Sequence, residues 1–291
     1  MKKKAIGIGI LVLVLIGIIL FVCMELHGSH KLPVITYHHI QEKGTFDIEK
    51  QGHLITTPEK LEEQLKAVQA AGYHTITIGE LQAYHEKKGT LPENPILITF
   101  DDGYNSTYQY AYPILKKLNM KATVFVPCVL IRDEENPSLG HPSFFTWQQA
   151  KKMYDSGVID IQSHTYHLHE AVKIDGIEQN AMTHKLKIND KYETIDQYKQ
   201  RIHDDLKESK ECIEKYVGNK IIALSFPFGD YNQTCCDIST ELQMPYLFCT
   251  KEGINQLNKN SLPFKRTTVY NRITMEATYS GKEVIQVIQS Y

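Results

Sequence analysis

Lys2, Lys3 and Lys4 precede an uncharged apolar run from Ala5 to Met24. Some 20 apolar residues suffice to cross a bilayer's ~30 Å core, and the lysines assign the start of the run to the cytoplasmic side. A cleaved signal peptide would have a shorter apolar core and small residues before the cut, and Phe21-Val22-Cys23-Met24 offers none. Bulky Val22 likewise argues against lipidation of Cys23. The pattern predicts an uncleaved anchor over residues 1–24, a short linker over 25–31 and one domain over 32–291. The expected location is the cell membrane, single-pass, with the domain extracellular.

Beyond the anchor the hydrophobic period alternates between strand and helix. Short apolar runs predict strands at Val34–Tyr37, Thr75–Ile78, Ile96–Phe100, Ala122–Val126, Val158–Ile161, Ile221–Phe226, Tyr246–Thr250 and Lys265–Val269. Thr57-Pro58 starts a helix with Leu61, Leu65 and Val68 on one face, and Gly72 closes it. Tyr108, Ala111, Tyr112, Leu115 and Leu118 form a second stripe, better read as packing than as a sugar platform. Thr146 caps a helix with Trp147 and Met153. Thr194-x-x-Gln197 resembles a capping box opening a long helix through Val217, stopped by Gly218. Strands alternating with helices argue an α/β fold on a parallel sheet. Glu170–Glu193 has no clear period and is expected to be a rim or lid over a groove, or an insertion without a role.

Composition adds limits. About 260 residues remain after the anchor, enough for one large core. Three of the 32 basic residues are the N-terminal lysines, so 29 face 34 acidic ones in the rest of the chain. That balance argues against a nucleic-acid partner, and no Gly-rich loop after a strand supports a nucleotide. The six cysteines do not form the framework of a small secreted domain. An oxidising exterior permits a bridge, for example Cys212 to Cys235 or Cys236, with free buried thiols equally consistent.

The chemistry concentrates at two strand ends. Ile96–Phe100 runs into Asp101-Asp102-Gly103, and Val158–Ile161 leads to Ser163-His164-Thr165-Tyr166-His167-Leu168-His169. A turn capping the helix near Ser106 would explain the first run alone. Three histidines in six residues at a second strand end favour a metal, with one carboxylate as ligand and the other free as a base.

Thr99-Phe100-Asp101-Asp102-Gly103 and Ser163-His164-Thr165…His169 together resemble the polysaccharide deacetylases of the NodB-homology type, carbohydrate esterase family 4. Pro33–Ile40, Gly72-Tyr73, Thr75–Ile78, Thr146-Trp147 and Ser225–Tyr231 follow in that family's order. The resemblance implies a distorted (β/α) barrel of seven strands behind the transmembrane helix. It departs at three places. The second histidine ligand stands five along (His169) or three along (His167), where most members space them four apart. The five-residue spacing resembles the branch acting on poly-β-1,6-N-acetylglucosamine. Ser225 stands where the family's third motif starts with Arg, so the Arg that orients the catalytic Asp is missing or comes from elsewhere, for example Arg266. The late Leu-x-x-His motif is absent, and His38 matches the histidine that replaces it in the poly-N-acetylglucosamine branch.

What the resemblance implies is a divalent metal, zinc first with Co2+ or Ni2+ as alternatives, on Asp102, His164 and His169. Asp101 would be the general base and His38 the general acid, with His39 and His167 as rivals. The Phe228 backbone N–H would hold the oxyanion. The implied activity is hydrolytic N-deacetylation of an extracellular N-acetylglucosamine polymer, peptidoglycan or poly-N-acetylglucosamine, with release of acetate. The alternatives are an O-acetyl xylan-type esterase and a carbohydrate-binding pseudoenzyme.

Overall fold

The computed structural model describes residues 29–51, 53–133, 143–258 and 268–291. The predicted anchor at 1–24, most of the linker, Cys23 and Arg266 lie outside the described residues. Among those described, no helix is long and apolar enough to cross a membrane.

A curled parallel sheet forms the centre. Its strands are β1 (Val34–Tyr37), β2 (His74–Thr75), β3 (Pro95–Phe100), β4 (Ala122–Val126), β5 (Ile159–Ser163), β6 (Ala223–Ser225), β7 (Tyr246–Phe248), β8 (Thr268–Tyr270) and β9 (Ile273–Thr274). The order is β8-β7-β6-β5-β4-β3-β1-β9, with β2 pairing the start of β3. Where seven strands were expected, the path holds eight. The last strand is broken at Asn271-Arg272 into β8, which pairs with β7, and β9, which pairs with β1. One short stretch of chain thus reaches both ends of the sheet. β1, β3 and β4 are buried at every position, as strands covered on both faces must be.

Helices α1 (Pro58–Ala70), α2 (Ile78–His85), α3 (Tyr112–Lys117), α4 (Trp147–Asp155), α5 (Ile195–Val217), α6 (Gln233–Glu241) and α7 (Gly281–Ser290) flank the sheet. Their starts follow the sequence signals. Thr57 Oγ1 accepts from the Lys60 N–H, Thr146 and Thr194 close capping boxes with Gln149 and Gln197, and Gly218 ends α5 at φ 86°. The predicted strand Thr75–Ile78 is cut short by such a signal. Thr77 and Glu80 form a capping box, so Ile78 opens α2 and strand β2 stops at Thr75. A π-helical turn, Thr107–Ala111, precedes α3.

The segment 170–193, which has no clear period in the sequence, is regular in the structure. It folds into two small antiparallel hairpins, Ala171–Ile174 with Ile177–Asn180 and Lys187–Ile188 with Lys191–Tyr192. Arg201 anchors it, donating to Glu193 and to the Ala181 and His184 carbonyls. The described cysteines are free thiols, the second of the two expected states. Cys235 Sγ lies 3.4 Å from the Tyr198 hydroxyl, and Cys212 faces Cys128, not Cys235 or Cys236.

Candidate active site

Strand register assembles the site. Tyr37 of β1 pairs with Phe100 of β3, so the next residues, His38 and Asp101, emerge side by side, and the Asp101 N–H donates to the Tyr37 carbonyl. Leu224 of β6 pairs with Ser163 of β5, which sets Ser225 beside His164. All four follow or end strands at the C-terminal mouth, where parallel barrels keep their chemistry.

Asp102, His164 and His169 converge, one ligand atom from each lying within 4.8 Å of the others. His164 Nε2 stands 3.5 Å and His169 Nε2 3.3 Å from Asp102 Oδ1. His164 Nδ1 meets the Ser225 carbonyl at 2.7 Å. That bond holds the proton on Nδ1 and aims the Nε2 lone pair at the cluster, the outer-shell arrangement of a metal-ligating histidine. Two imidazoles and a carboxylate with an open side fit a zinc-type cation. His167 is not in the group. It is exposed, its Nε2 3.4 Å from Glu170 Oε1.

Three non-glycine residues here have left-handed backbones: Asp102 (φ 71°), Thr165 (φ 76°) and Phe228 (φ 58°). Such strain persists only where surroundings impose it, and it clusters at functional sites. Gly103 (φ 72°) completes the first turn, because a Cβ there would come within 2.9 Å of Ile131 Cδ1. Gly229 permits the turn around Phe228, since its Cβ would stand 2.7 Å from the Thr250 nitrogen. The Phe228 ring is half exposed, with its centroid 4.9 Å from that of His169.

Asp101 is almost fully buried and is gripped by Arg272. Nη1 donates to Oδ1 at 2.8 Å and Nη2 to Oδ2 at 2.7 Å. Burial alone would raise the Asp101 pKa, but the Arg272 and His164 charges outweigh it and hold the carboxyl well below its usual range. Ser225 Oγ accepts from Arg272 Nη2 at 2.9 Å and lies 3.3 Å from Asp101 Oδ2. The guanidinium expected to be missing or to come from elsewhere, for example Arg266, is supplied by Arg272, in the break between β8 and β9. Its only signal was an arginine set between two apolar strand fragments.

His38 Nε2 is 4.0 Å from Asp101 Oδ2, and its buried Nδ1 has no hydrogen-bond partner among the described residues. Burial lowers its pKa further than Asp101 and Asp102 raise it, the opposite of the upward shift expected from neighbouring carboxylates alone. His39 is engaged elsewhere, its Nδ1 2.8 Å from Ser106 Oγ. Two further residues carried no sequence signal. Tyr104 lies beside Asp102, and burial together with that carboxylate pushes its hydroxyl pKa up. Asp205 of α5 accepts the Tyr166 and His167 N–H groups at 2.9 and 2.8 Å, fixing the segment between the ligand histidines. A cleft of about 330 Å³ beside the cluster is lined by His38, Gln41, Gln51, Leu54 and Tyr104 among others.

A parallel barrel with an Asp-His-His cluster and an Arg-held carboxylate at its mouth has the architecture of a barrel hydrolase. The family model described as polysaccharide deacetylase matches residues 88–247, and the chain belongs to that family. The YxkH protein of Bacillus subtilis (strain 168) is 32% identical over 206 residues, 70% of this chain and 58% of that protein. The poly-β-1,6-N-acetyl-D-glucosamine N-deacetylase of Escherichia coli (strain K12) is 25% identical over 250 residues, 79% of this chain and 35% of that protein. The chain thus spans little more than half, and about a third, of these two relatives. A solved de-N-acetylase from Aggregatibacter actinomycetemcomitans shares the fold, with TM-score 0.75 at 23% identity over 89% of this chain and all of that one.

Proposed function

We propose that this chain is a divalent-metal-dependent N-deacetylase of an N-acetylglucosamine polymer, held at the outer face of the membrane by residues 1–24. The observation that carries the reading is the convergence of Asp102, His164 and His169 beside the buried Asp101–Arg272 pair. The similarity to a poly-β-1,6-N-acetyl-D-glucosamine N-deacetylase favours that polymer over peptidoglycan.

Asp102, His164 and His169 would hold the cation, which when bound supplies Lewis acidity and an activated water. Asp101 takes the proton from the attacking water, its carboxylate kept ionised and aimed by Arg272. The Phe228 N–H donates to the oxyanion of the attacked acetyl group. His38, beside Asp101 at the mouth, delivers a proton to the departing amine, which leaves poorly as an anion. The cleft along Gln41, Gln51, Leu54 and Tyr104, beside the cluster, receives the neighbouring sugar.

Acetate release from poly-N-acetylglucosamine oligomers is the test. A chelator is expected to abolish it and zinc to restore it. Asp102→Asn should lose metal and turnover together. Asp101→Asn should keep the metal and lose about 10²–10⁴-fold in turnover. Release from acetylxylan alone would make the protein an esterase, and full activity in metal-free protein would sink the proposal.

A further inference from the structure

We propose that Cys128 and Cys212 form a disulfide site that closes in an oxidising medium and braces the segment carrying His164 and His169.

Cys128 opens a short 3-10 turn, Cys128–Leu130, at the end of β4, and this turn packs against α5. The Cys128 and Val129 N–H groups donate to the Thr165 and Tyr166 carbonyls at 3.1 and 3.0 Å. The backbone at Cys128 therefore holds the residues between the two ligand histidines. Its side chain points the other way, into the helix. Cys128 Sγ lies 3.3 Å from Ser209 Oγ and 3.6 Å from the Ser209 carbonyl. Ser209 Oγ in turn is 2.7 Å from Ser163 Oγ, which accepts the Thr165 N–H at 3.1 Å. Strand end, histidine segment and α5 thus share one buried network with a thiol inside it.

Cys212 stands three residues beyond Ser209 on α5, a spacing that puts both on one helix face. Its thiol therefore neighbours that of Cys128, close enough for each to act on the other's ionisation. The two differ in the way an attacking and a resolving cysteine differ. Cys212 is half-buried, and the neighbouring Cys128 thiol, with Lys215 nearby, lowers its pKa against burial and the Glu208 and Asp133 charges. Cys128 is buried, and burial pushes its thiol up. Cys212 is the more accessible of the two thiols and Cys128 is buried behind it, so a small-molecule oxidant meets Cys212 first.

With a small-molecule disulfide as oxidant, the Cys212 thiolate attacks one sulfur and displaces the other as a thiolate. Cys128 then loses its proton, attacks the Cys212 sulfur of the mixed disulfide and releases the second small thiol. One protein S–S bond replaces two S–H bonds. The oxidant takes up the two electrons as two thiols. The covalent link ties the turn under Thr165 and Tyr166 to α5, whose Asp205 already holds the other side of that segment.

The test uses the full chain loaded with zinc and treated with glutathione disulfide. Digestion without reduction should give a linked Cys128–Cys212 peptide pair. That pair should vanish in Cys212→Ser and persist in Cys235→Ser. Zinc release to a competing chelator should be several-fold slower in the oxidised than in the reduced protein, with no such difference in Cys212→Ser. Recovery of both cysteines as free, alkylated thiols after oxidation would overturn the site. A link that forms but leaves zinc release unchanged would overturn the brace.

Discussion

Arg272 has no exposure, and every nitrogen of its guanidinium is engaged. Nε donates to the Cys249 carbonyl, and the two terminal nitrogens serve Asp101 and Ser225. Lysine would keep the charge but lose the planar fork. Arg272→Lys should therefore retain metal while turnover falls by an order of magnitude or more. Because Arg272 holds the Asp101 pKa down, weakening the grip raises it, and the acidic limb of the activity profile should move to higher pH. A profile that falls in height without shifting would make Arg272 a packing residue only. Removing the charge altogether, as in Arg272→Gln, leaves a buried carboxylate unpaired, at about 3–5 kcal/mol of stability. His38 invites a separate comparison. His38→Ala should bind metal normally, lose much of its amide turnover and lose far less on an activated aryl ester, whose leaving group needs no proton. Equal losses on both substrates would make His38 a positioning residue. At this scale the sequence disclosed the residues whose chemistry is local. Asp101-Asp102 and His164…His169 are readable because acids and imidazoles crowd at strand ends. Arg272 and Tyr104 were not, since their roles depend on which strand lies beside which.

Elements deliver these side chains, and one helix does so from a distance. α5 carries Asp205, whose carboxylate receives the Tyr166 and His167 N–H groups and so fixes the turn that separates the ligand histidines. Nothing in the helical period marks that residue, because a half-buried acid on a long amphipathic helix looks like solvated surface. Asp205→Ala leaves two N–H groups without their acceptor and frees the turn, while the helix itself tolerates alanine well. The expected outcome is several-fold weaker zinc affinity, measured by competition with a chelator, in a protein whose circular dichroism is unchanged. Unaltered affinity would mean that the Cys128 and Val129 N–H groups suffice to hold the segment. Element identity was otherwise legible where capping was explicit, as at Thr57, Thr146 and Thr194. It failed at Thr77, where β-branched residues read as strand but Glu80 completes a helix cap. It failed again over 170–193, where hairpins held by Arg201 lack the apolar alternation that announces a strand.

On the scale of the whole molecule, chemistry and one source of pH-dependent stability sit at opposite ends of the same strand. β5 ends next to His164 at the mouth, and near its start carries Asp160 at the bottom of the sheet. Gln162 Nε2 donates to Asp160 at 3.0 Å, and Asn219 and Lys220 line the same small cavity. Burial outweighs those hydrogen bonds and raises the Asp160 pKa to about 6. A carboxyl whose pKa is higher folded than unfolded binds its proton more tightly in the native state. The associated stability is therefore complete below the unfolded value near 4, falls as pH rises, and is gone above about 6. Asp160→Asn keeps an acceptor for Gln162 and removes the ionisation. It should stabilise the fold at pH 8 by an amount on the order of 1 kcal/mol, read as a higher midpoint of thermal unfolding, and leave stability nearly unchanged at pH 4. The pH profile of acetate release should stay where it was, because the substitution lies at the far end of the barrel from Asp101 and His38. Equal gains at both pH values would show that packing, not ionisation, sets the effect. A shifted activity profile would show that the two ends of the barrel are electrostatically coupled.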